Sequence, residues 1–264
     1  MALPIERWWT VQHGPGPVVA TAIHHGHELR PEVAEAMALD DAARLREEDP
    51  FTGEAVRDVP AHIVVHRSRF EVDLNRGTDG AVYRIPEHCW DLDLWKPGGP
   101  DESLVGRSQA MHTEYYRMLA QLLDGVAARH GCFLLIDVHS YNHRRGGPDA
   151  PPTPPEQAPD INIGTFSMPR AHWAFLVDPL IDAMRRFDCN GRRLDVRENV
   201  AFEGRGEQTR FVHDRYPDSG CAIALEIKKF YMDEWTGAPD PSELAAMRAL
   251  VAHIARTAEE MLSR

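Results

Sequence analysis

The 264-residue sequence is poor in cysteine, short of basic residues and without a long hydrophobic run. Its four cysteines form no CxxC pair, which excludes a thiolate zinc site or redox motif and favours buried thiols in a reducing compartment. Its 29 lysines and arginines face 41 acidic residues, and a formal charge of −12 argues against nucleic acid or anionic membranes as partners. The most apolar segment, residues 132–136, is too short to span a bilayer.

Other features are those of an ordinary globular protein, with 43% hydrophobic and 27% charged residues. Residues 1–16 lack a basic start followed by an apolar run, so we expect no secretory signal and a cytoplasmic protein. No internal repeat is visible, and the length predicts one domain over residues 1–264. The 14 histidines stand out in this composition.

Apolar patterns predict strands that alternate with helices. Strands are expected at 17–23, 63–65, 70–74, 132–138 and 221–227. Helices are expected from Pro31 through 39–45, at 109–130 with Gly131 as its end, at 170–187 and at 241–262. This order predicts an α/β fold with a largely parallel sheet covered on both faces. Six prolines in 148–159 predict an excursion from the domain, with a linker as the alternative.

Reactive residues follow the predicted strands where active sites of open α/β sheets form, at the carboxyl ends. These groups are His24-His25-Gly26-His27-Glu28, Asp73-Leu74-Asn75-Arg76, Asp137-Val138-His139-Ser140 and Ala224-Leu225-Glu226-Ile227.

The first and third groups predict a metal site. His25 and Glu28 have HxxE spacing, which on a turn entering a helix directs both side chains to one ion, and His139 supplies a third ligand. Two histidines and one glutamate with an open fourth position are typical of a catalytic zinc site. His24 and His27 are alternative ligands, and histidines that only line a loop are the non-metal alternative.

The other two groups each have two interpretations. Glu226 in an apolar strand is either a general base with a pKa raised by burial, or an acid that faces solvent at an edge strand or pairs with Lys228. Asn75 and Arg76 are either a helix cap with a surface charge or a clamp for a substrate carboxylate.

In their order and strand-end positions these motifs resemble the zinc carboxypeptidase-like hydrolases. Within that group the sequence is most similar to the N-formylglutamate amidohydrolase family, over residues 18–234. The closer likeness rests on Ser68-Arg69 before Asp73-Leu74-Asn75-Arg76, on His112-Thr113-Glu114-Tyr115-Tyr116 and on Phe230-Tyr231-Met232-Asp233-Glu234. Typical members read Ser-Pro-His-Ser-Gly where this chain reads Ala22-Ile23-His24-His25-Gly26.

The resemblance implies a three-layer αβα sandwich around a mixed, mostly parallel sheet of about eight strands. It implies one zinc ion per chain, and it assigns roles to the following residues. The metal ligands are His25, Glu28 and His139; the base that deprotonates the metal-bound water is Glu226; the oxyanion arginine is Arg69, with Arg67 as the alternative; the substrate carboxylate is held by Asn75 and Arg76. His213 is expected to line the substrate pocket, with a surface position as the alternative.

The expected activity is hydrolysis of the amide in a small, anionic N-acyl amino acid. N-formyl-L-glutamate, cleaved to formate and L-glutamate in histidine degradation, is the leading substrate that the resemblance implies. A carboxypeptidase-like hydrolase of peptides or amino-acid conjugates is one alternative, and a non-catalytic metal-binding protein is another. The oligomeric state stays open.

Overall fold

Seven β-strands form one mixed sheet in the computed structural model, which describes residues 8–263. Residues 1–7, part of the stretch in which no secretory signal is expected, and residue 264 lie outside the described part. The strands are β1 (Trp9–Gln12), β2 (Val18–Ala22), β3 (Ala61–Val65), β4 (Phe133–Tyr141), β5 (Ile161–Gly164), β6 (Val196–Glu198) and β7 (Gly220–Lys228). The α-helices are α1 (Pro31–Ala36), α2 (Asp41–Glu47), α3 (Thr52–Ala55), α4 (Glu102–His130), α5 (Ala174–Arg186), α6 (Glu207–Arg215) and α7 (Pro241–Leu262).

The strand order is β1-β3-β2-β4-β7-β5-β6. Strands β3, β2, β4 and β7 are parallel neighbours, while β1 and β5 pair antiparallel with β3 and β7. The sheet is therefore mixed and mostly parallel, as predicted, with seven strands in the described residues rather than about eight. The carboxyl ends of β2, β4 and β7 meet at one edge of this sheet.

Helices cover both faces of the sheet. Apolar residues of α3, α5 and α7 share one buried cluster with β2, β4 and β7, while those of α4 and α6 share another with the opposite face. The central strands are buried on both sides, which explains why β4 and β7 are continuous apolar runs rather than alternating ones. The predicted three-layer arrangement is confirmed.

The predicted long helices are confirmed, with differences at their starts. Helix α4 ends before Gly131, whose φ of 77° favours glycine, but it begins at Glu102 because the Asp101 side chain caps the Leu104 amide. Helix α7 spans the predicted 241–262. Helix α5 begins at Ala174 and contains Pro179.

Two local predictions are wrong. Residues 70–74 are buried but form turns instead of a strand, because the amides of Glu71 and Val72 bond to the Ser68 carbonyl. The predicted helix over 31–45 is two helices, α1 and α2, separated by residues 37–40.

The proline-rich segment 148–159 connects β4 to β5 and is joined to the sheet at its far end. The Tyr141 hydroxyl donates to the Pro159 carbonyl, and Lys228 Nζ donates to the Ala158 carbonyl at 3.1 Å. These bonds fit an excursion within the domain; the single-domain count itself stays a prediction.

The four cysteines are all free, and three of them, Cys89, Cys189 and Cys221, are buried. The expected buried thiols are thus found at three of four positions. Across the described residues, no helix combines the length and apolar character needed to cross a membrane.

Replacing Gly26 by alanine should destabilise the protein, because the new Cβ would lie 2.1 Å from the backbone carbon of His66. We expect Gly26→Ala to lower the free energy of unfolding by about 2 kcal/mol, as for other overpacked sites. Gly106→Ala is the control, since this helical position has open space around it and alanine should stabilise the helix by about 0.5–1 kcal/mol. Urea denaturation measures both, and equal stabilities of the two variants would contradict the prediction.

Candidate active site

Side chains from three adjacent strands meet at the carboxyl edge of the sheet. His139 in β4 lies directly beside Glu226 in the parallel strand β7. His24 follows β2, the other neighbour of β4. Asp49 follows α2, and its backbone amide donates to the His24 carbonyl at 2.9 Å. One backbone bond thus brings an acidic loop residue against the end of a central strand.

His24, Asp49 and His139 form a buried cluster in which ligand-type atoms lie within 4.8 Å of one another. Asp49 Oδ2 is 3.0 Å from His139 Nδ1 and 3.4 Å from His24 Nδ1. The two imidazole rings lie 4.9 Å apart between centroids. Two ring nitrogens and one carboxylate oxygen therefore face the same point.

A second carboxylate lies on the far side of each imidazole. His24 Nε2 makes a hydrogen bond with Asp73 Oδ1 at 2.7 Å, which fixes the orientation of that ring. His139 Nε2 lies 3.0 Å from Asp137 Oδ2, but among the described residues neither atom has a hydrogen-bond partner. The Nδ1 atoms of both rings are directed at Asp49.

The outer carboxylates are themselves anchored. Thr21 Oγ1 and Gln208 Nε2 donate to Asp137 Oδ1 at 3.0 and 2.5 Å. Asp73 accepts from the Tyr83 hydroxyl and from Arg69 Nη2. The site thus has two layers of polar contacts that limit the movement of its histidines.

The pKa values of two buried acids of the site, Asp49 and Glu226, are shifted in opposite directions. Burial alone would raise the pKa of Asp49, but the contacts with His139 and His24 hold the pKa of that carboxyl well below its usual range. Glu226, 8% exposed, accepts no comparable bond from the residues that the structure describes, and burial raises its pKa to about 7 although the charge of His139 opposes the shift. Of the two carboxyls that border this cavity, Asp49 therefore has a lowered pKa and Glu226 a raised one.

Residues beyond β7 fix the loop that carries Asp49. Lys229 Nζ donates to the carbonyls of Arg46 and Glu48 at 2.6 and 2.7 Å, and the Tyr231 hydroxyl donates to the Pro50 carbonyl at 2.9 Å. Burial lowers the pKa of Lys229 to about 8. The segment after β7 thus positions Asp49 from both sides.

The structure does not bring the predicted ligands His25 and Glu28 to this cluster. Residues 26–28 run extended beside residues 66–68, with bridges Gly26–Ser68 and Glu28–Arg67, so no turn into a helix follows β2. In an extended chain, positions three apart lie on opposite sides. His25 packs against Gly53 of α3, and the Glu28 side chain is 66% exposed. Of the three predicted ligands, only His139 is in the cluster.

The alternative ligand His27 is engaged elsewhere. Its Nδ1 lies 2.5 Å from Glu48 Oε2, and its Nε2 lies 3.1 Å from Arg44 Nη2. Glu48 also accepts from the Ser68 hydroxyl at 2.5 Å. His27 therefore belongs to a network that supports the acidic loop, whereas the other alternative, His24, is the histidine placed beside Asp49.

Arg69 borders the same cavity as the cluster, and its role at the reacting group stays a prediction. Its Nη2 is 3.2 Å from Asp73 Oδ2, its Nε donates to the Tyr83 hydroxyl at 3.2 Å, and its guanidinium stacks 4.9 Å from the Trp90 ring. The alternative, Arg67, extends toward Glu28, at 4.0 Å.

Two adjacent spaces lie at this edge of the sheet. A cavity of 110 Å³ is bordered by His24, Asp49 and His139. A cleft of 810 Å³ is bordered by Arg76. Five residues, Arg69, Asn75, Trp90, Phe202 and Glu226, border both spaces, so the small cavity and the wider outer cleft are neighbours.

Asn75 and Arg76 both face the outer cleft. A Cβ on Gly206 would lie 2.0 Å from Asn75 Oδ1, so only glycine lets α6 approach this side chain. Arg76 is held by the His88 carbonyl at 2.7 Å and by Asp73 at 3.4 Å, and its side chain is 41% exposed. His112 Nε2 contacts the Arg76 carbonyl at 2.8 Å, so the histidine of His112-Thr113-Glu114-Tyr115-Tyr116 supports this loop.

His213 is an interior residue and is not among the residues that border the cleft. Its Nε2 accepts from the Ala222 amide at 3.1 Å, so Nδ1 carries the hydrogen and donates to Ser167 Oγ at 2.9 Å. The residue joins α6 to β7, and both the pocket and the surface expectations for it are corrected.

Asp49 is the residue of the cluster that sequence reasoning missed. It stands in Glu47-Glu48-Asp49-Pro50, an acidic run after a short helix that pattern alone assigns to solvent. No local pattern indicated Asp49, whereas His24 had a signal, because it occupies the histidine position of the Ser-Pro-His-Ser-Gly pattern.

Comparisons with known proteins agree with this architecture. A family model described as N-formylglutamate amidohydrolase matches residues 16–232. The fold is similar to the crystal structure of N-formylglutamate amidohydrolase from Ralstonia eutropha JMP134, with a TM-score of 0.76, 17% identity and coverage of 96% of this chain and 97% of that chain. A gene product from Agrobacterium tumefaciens gives a TM-score of 0.67, 15% identity and 94% coverage of both chains. No curated protein matches the sequence.

These findings define the class and then the family. An α/β sheet with its polar cluster at the carboxyl edge, matched over most of its length by an amidohydrolase model, is that of a hydrolase. The chain belongs to the N-formylglutamate amidohydrolase family.

His213 should make stability depend on pH. Burial lowers its pKa from 6.5 to about 4, so between these values the unfolded chain binds more protons and stability falls as the pH drops. At pH 5 the loss relative to neutral pH should be about 2 kcal/mol. His213→Gln keeps an acceptor for the Ala222 amide and should remove this part of the pH dependence.

Urea denaturation at pH 7.5 and 5.0 measures the effect. His130→Gln, at an exposed histidine at the end of α4, is the matched control and should keep the wild-type difference between the two pH values. The prediction is wrong if His213→Gln keeps it too.

Proposed function

We propose that this chain is a zinc-dependent amidohydrolase that cleaves the amide of a small N-acyl amino acid such as N-formyl-L-glutamate. The observation that carries the proposal is the buried His24–Asp49–His139 cluster with Glu226 and Arg69 bordering the same cavity. The substrate is a small anion, and the products are a carboxylic acid and a free amino acid.

The donor set suits zinc. Two imidazole nitrogens and one carboxylate oxygen, with a fourth position left open, are typical of catalytic zinc sites. Within the described residues, His24 Nδ1 is buried without a hydrogen-bond partner, as expected for an atom directed at an ion. Asp49, Asp137 and Glu226 also place several carboxyls in one buried region, where a divalent cation offsets their mutual repulsion.

Zinc, when bound, lowers the pKa of a coordinated water and polarises a carbonyl oxygen. Glu226 is then the general base: a carboxyl whose pKa is raised by burial to about 7 accepts a proton near neutral pH. Hydrolysis adds water to the amide carbon and breaks the C–N bond. Glu226 takes one proton from the attacking water and delivers it to the leaving nitrogen.

The arginines supply charge on the substrate side. Arg69, held by Asp73 and Tyr83, is positioned to donate to the oxygen that gains charge during the reaction. Arg76 and Asn75 border the outer cleft, where a guanidinium and an amide suit a carboxylate. The reacting amide thus occupies the small cavity and the carboxylate the cleft.

Matched substitutions test the ligand set. His24→Ala and Asp49→Asn should each reduce bound zinc, measured by elemental analysis after dialysis, because each removes one of three ligands. His25→Ala and Glu28→Gln are the neighbouring controls and should keep about one zinc per chain. Zinc lost from the controls and kept in the first pair would overturn this ligand set.

Glu226→Gln tests the base. We expect formate release from N-formyl amino acids to fall by about 100-fold or more, with zinc content unchanged, because the amide cannot accept the proton. Equal rates in the variant and the parent protein would exclude this role. Bound zinc with no turnover of any N-acyl amino acid in the parent would favour a non-catalytic metal-binding protein.

A further inference from the structure

Apolar side chains gather around the outer cleft. Six large hydrophobic residues are exposed in the described part of the chain: Ile85, Trp90, Phe166, Phe175, Val200 and Phe202. Trp90, Val200 and Phe202 border the cleft, and Phe166 adjoins it because the Arg205 guanidinium of the cleft stacks on its ring at 3.3 Å. Exposed apolar groups concentrated at one concave surface indicate a binding site.

Trp90 is fixed at the border between the cavity and the cleft. Trp90 and Asp91 both have left-handed backbone conformations, with φ of 56° and 60°, which residues with a Cβ adopt rarely and which persist when the surroundings impose them. The ring of Trp90 contacts Phe70 and Tyr83 edge-on, with centroids 6.2 and 6.4 Å apart, yet the residue is 41% exposed.

Phe202 is fixed on the other loop of the same border. Asn162, the β5 neighbour of Glu226 in the sheet, donates to the Phe202 carbonyl at 2.7 Å and accepts from the amides of Val200 and Ala201. The Phe202 ring packs 5.4 Å from Tyr141 and is still 42% exposed. The buried Asn162 amide, beside the proposed base, therefore holds the exposed Phe202 ring at the apolar rim of the cleft, which Trp90 and Phe202 form.

The charges of the cleft favour one carboxylate on the substrate rather than two. Its arginines each have a carboxylate partner: Arg69 and Arg76 pair with Asp73, and Arg205 pairs with Glu203. The lining also contains Glu87, Asp137 and Glu226. Acidic side chains thus outnumber the arginines, so the cleft offers no excess of positive charge to a second substrate carboxylate.

We propose that the preferred substrate is an N-formyl or similarly small N-acyl amino acid with an apolar, above all aromatic, side chain that packs between Trp90 and Phe202. This inference rests on the proposed amidohydrolase function. The cavity of 110 Å³ at the cluster suits a small acyl group. The wider cleft, which holds both Arg76 and the apolar rim, takes the carboxylate and the side chain together.

The first test compares substrates on the zinc-loaded protein. Formate release should give a kcat/KM for N-formyl-L-phenylalanine at least about tenfold above those for N-formyl-L-glutamate and N-formylglycine, as expected for a filled apolar pocket. N-benzoylglycine carries its aromatic ring on the acyl group instead of the side chain, and it should be a poor substrate when glycine release is measured. Preference for N-formyl-L-glutamate overturns this inference and leaves the amidohydrolase function standing.

The second test changes the rim. Phe202→Ala and Trp90→Ala should each lower the ratio of kcat/KM for N-formyl-L-phenylalanine to kcat/KM for N-formylglycine by about tenfold. Phe175→Ala is the matched control, since this exposed phenylalanine of α5 does not border the cleft. Equal losses on both substrates, or an equal loss in the control, contradict the inference. Phe202→Ala decides the matter if Trp90→Ala does not fold.

A binding measurement separates this inference from the proposed catalysis. Calorimetry with zinc-loaded Glu226→Gln should show N-formyl-L-phenylalanine binding at least about tenfold tighter than N-formyl-L-glutamate. If this binding preference is found but the parent protein hydrolyses neither compound, the amidohydrolase function is refuted and the apolar site is supported. No preference in binding would refute the site.

Discussion

The contact of Asp49 Oδ2 with the Nδ1 atoms of His24 and His139 is the constraint on which the rest of the site depends. These three groups come from a loop, a strand end and a central strand, so the geometry exists only when α2, β2 and β4 are in place. The Asp49 amide bond to the His24 carbonyl sets the first distance. Lys229 and Tyr231 then prevent the acidic loop from moving outward.

Burial of so many carboxyls is costly unless each has a compensating partner. Asp73 has Arg69 and Tyr83, and Asp137 has Thr21 and Gln208, so the outer acids are stabilised by the protein itself. Among the described residues Glu226 has no such hydrogen-bond donor, and burial raises its pKa. The two outer acids are therefore held by polar partners, whereas Glu226 is perturbed chiefly by burial.

The parts of the site that lie on continuous apolar strands can be predicted from the sequence alone. Strands β4 and β7 are apolar runs, and their pattern is enough to place His139 and Glu226 at the carboxyl edge of the sheet. The ligands on loops could not be predicted in this way, because HxxE spacing has its usual meaning only on a helical turn, and residues 26–28 are extended beside 66–68. Asp49 is joined to the site by contacts with residues that are distant in the sequence, and local pattern does not record such contacts. For the same reason local pattern could not show that His213 lies in the interior, away from the cleft.

Under the proposed function, the division between sheet and loops also separates the reacting groups from those that select the substrate. His139 and Glu226 project from paired central strands, whose register fixes their separation, and any small acyl group that reaches them meets the same groups. Trp90 and Phe202 lie on loops, one held by left-handed backbone and ring packing, the other by Asn162. Loops of this kind tolerate change better than a central sheet does. Because Asn162 also neighbours Glu226 in the sheet, one buried amide joins the loop of Phe202 to the strand that carries the proposed base.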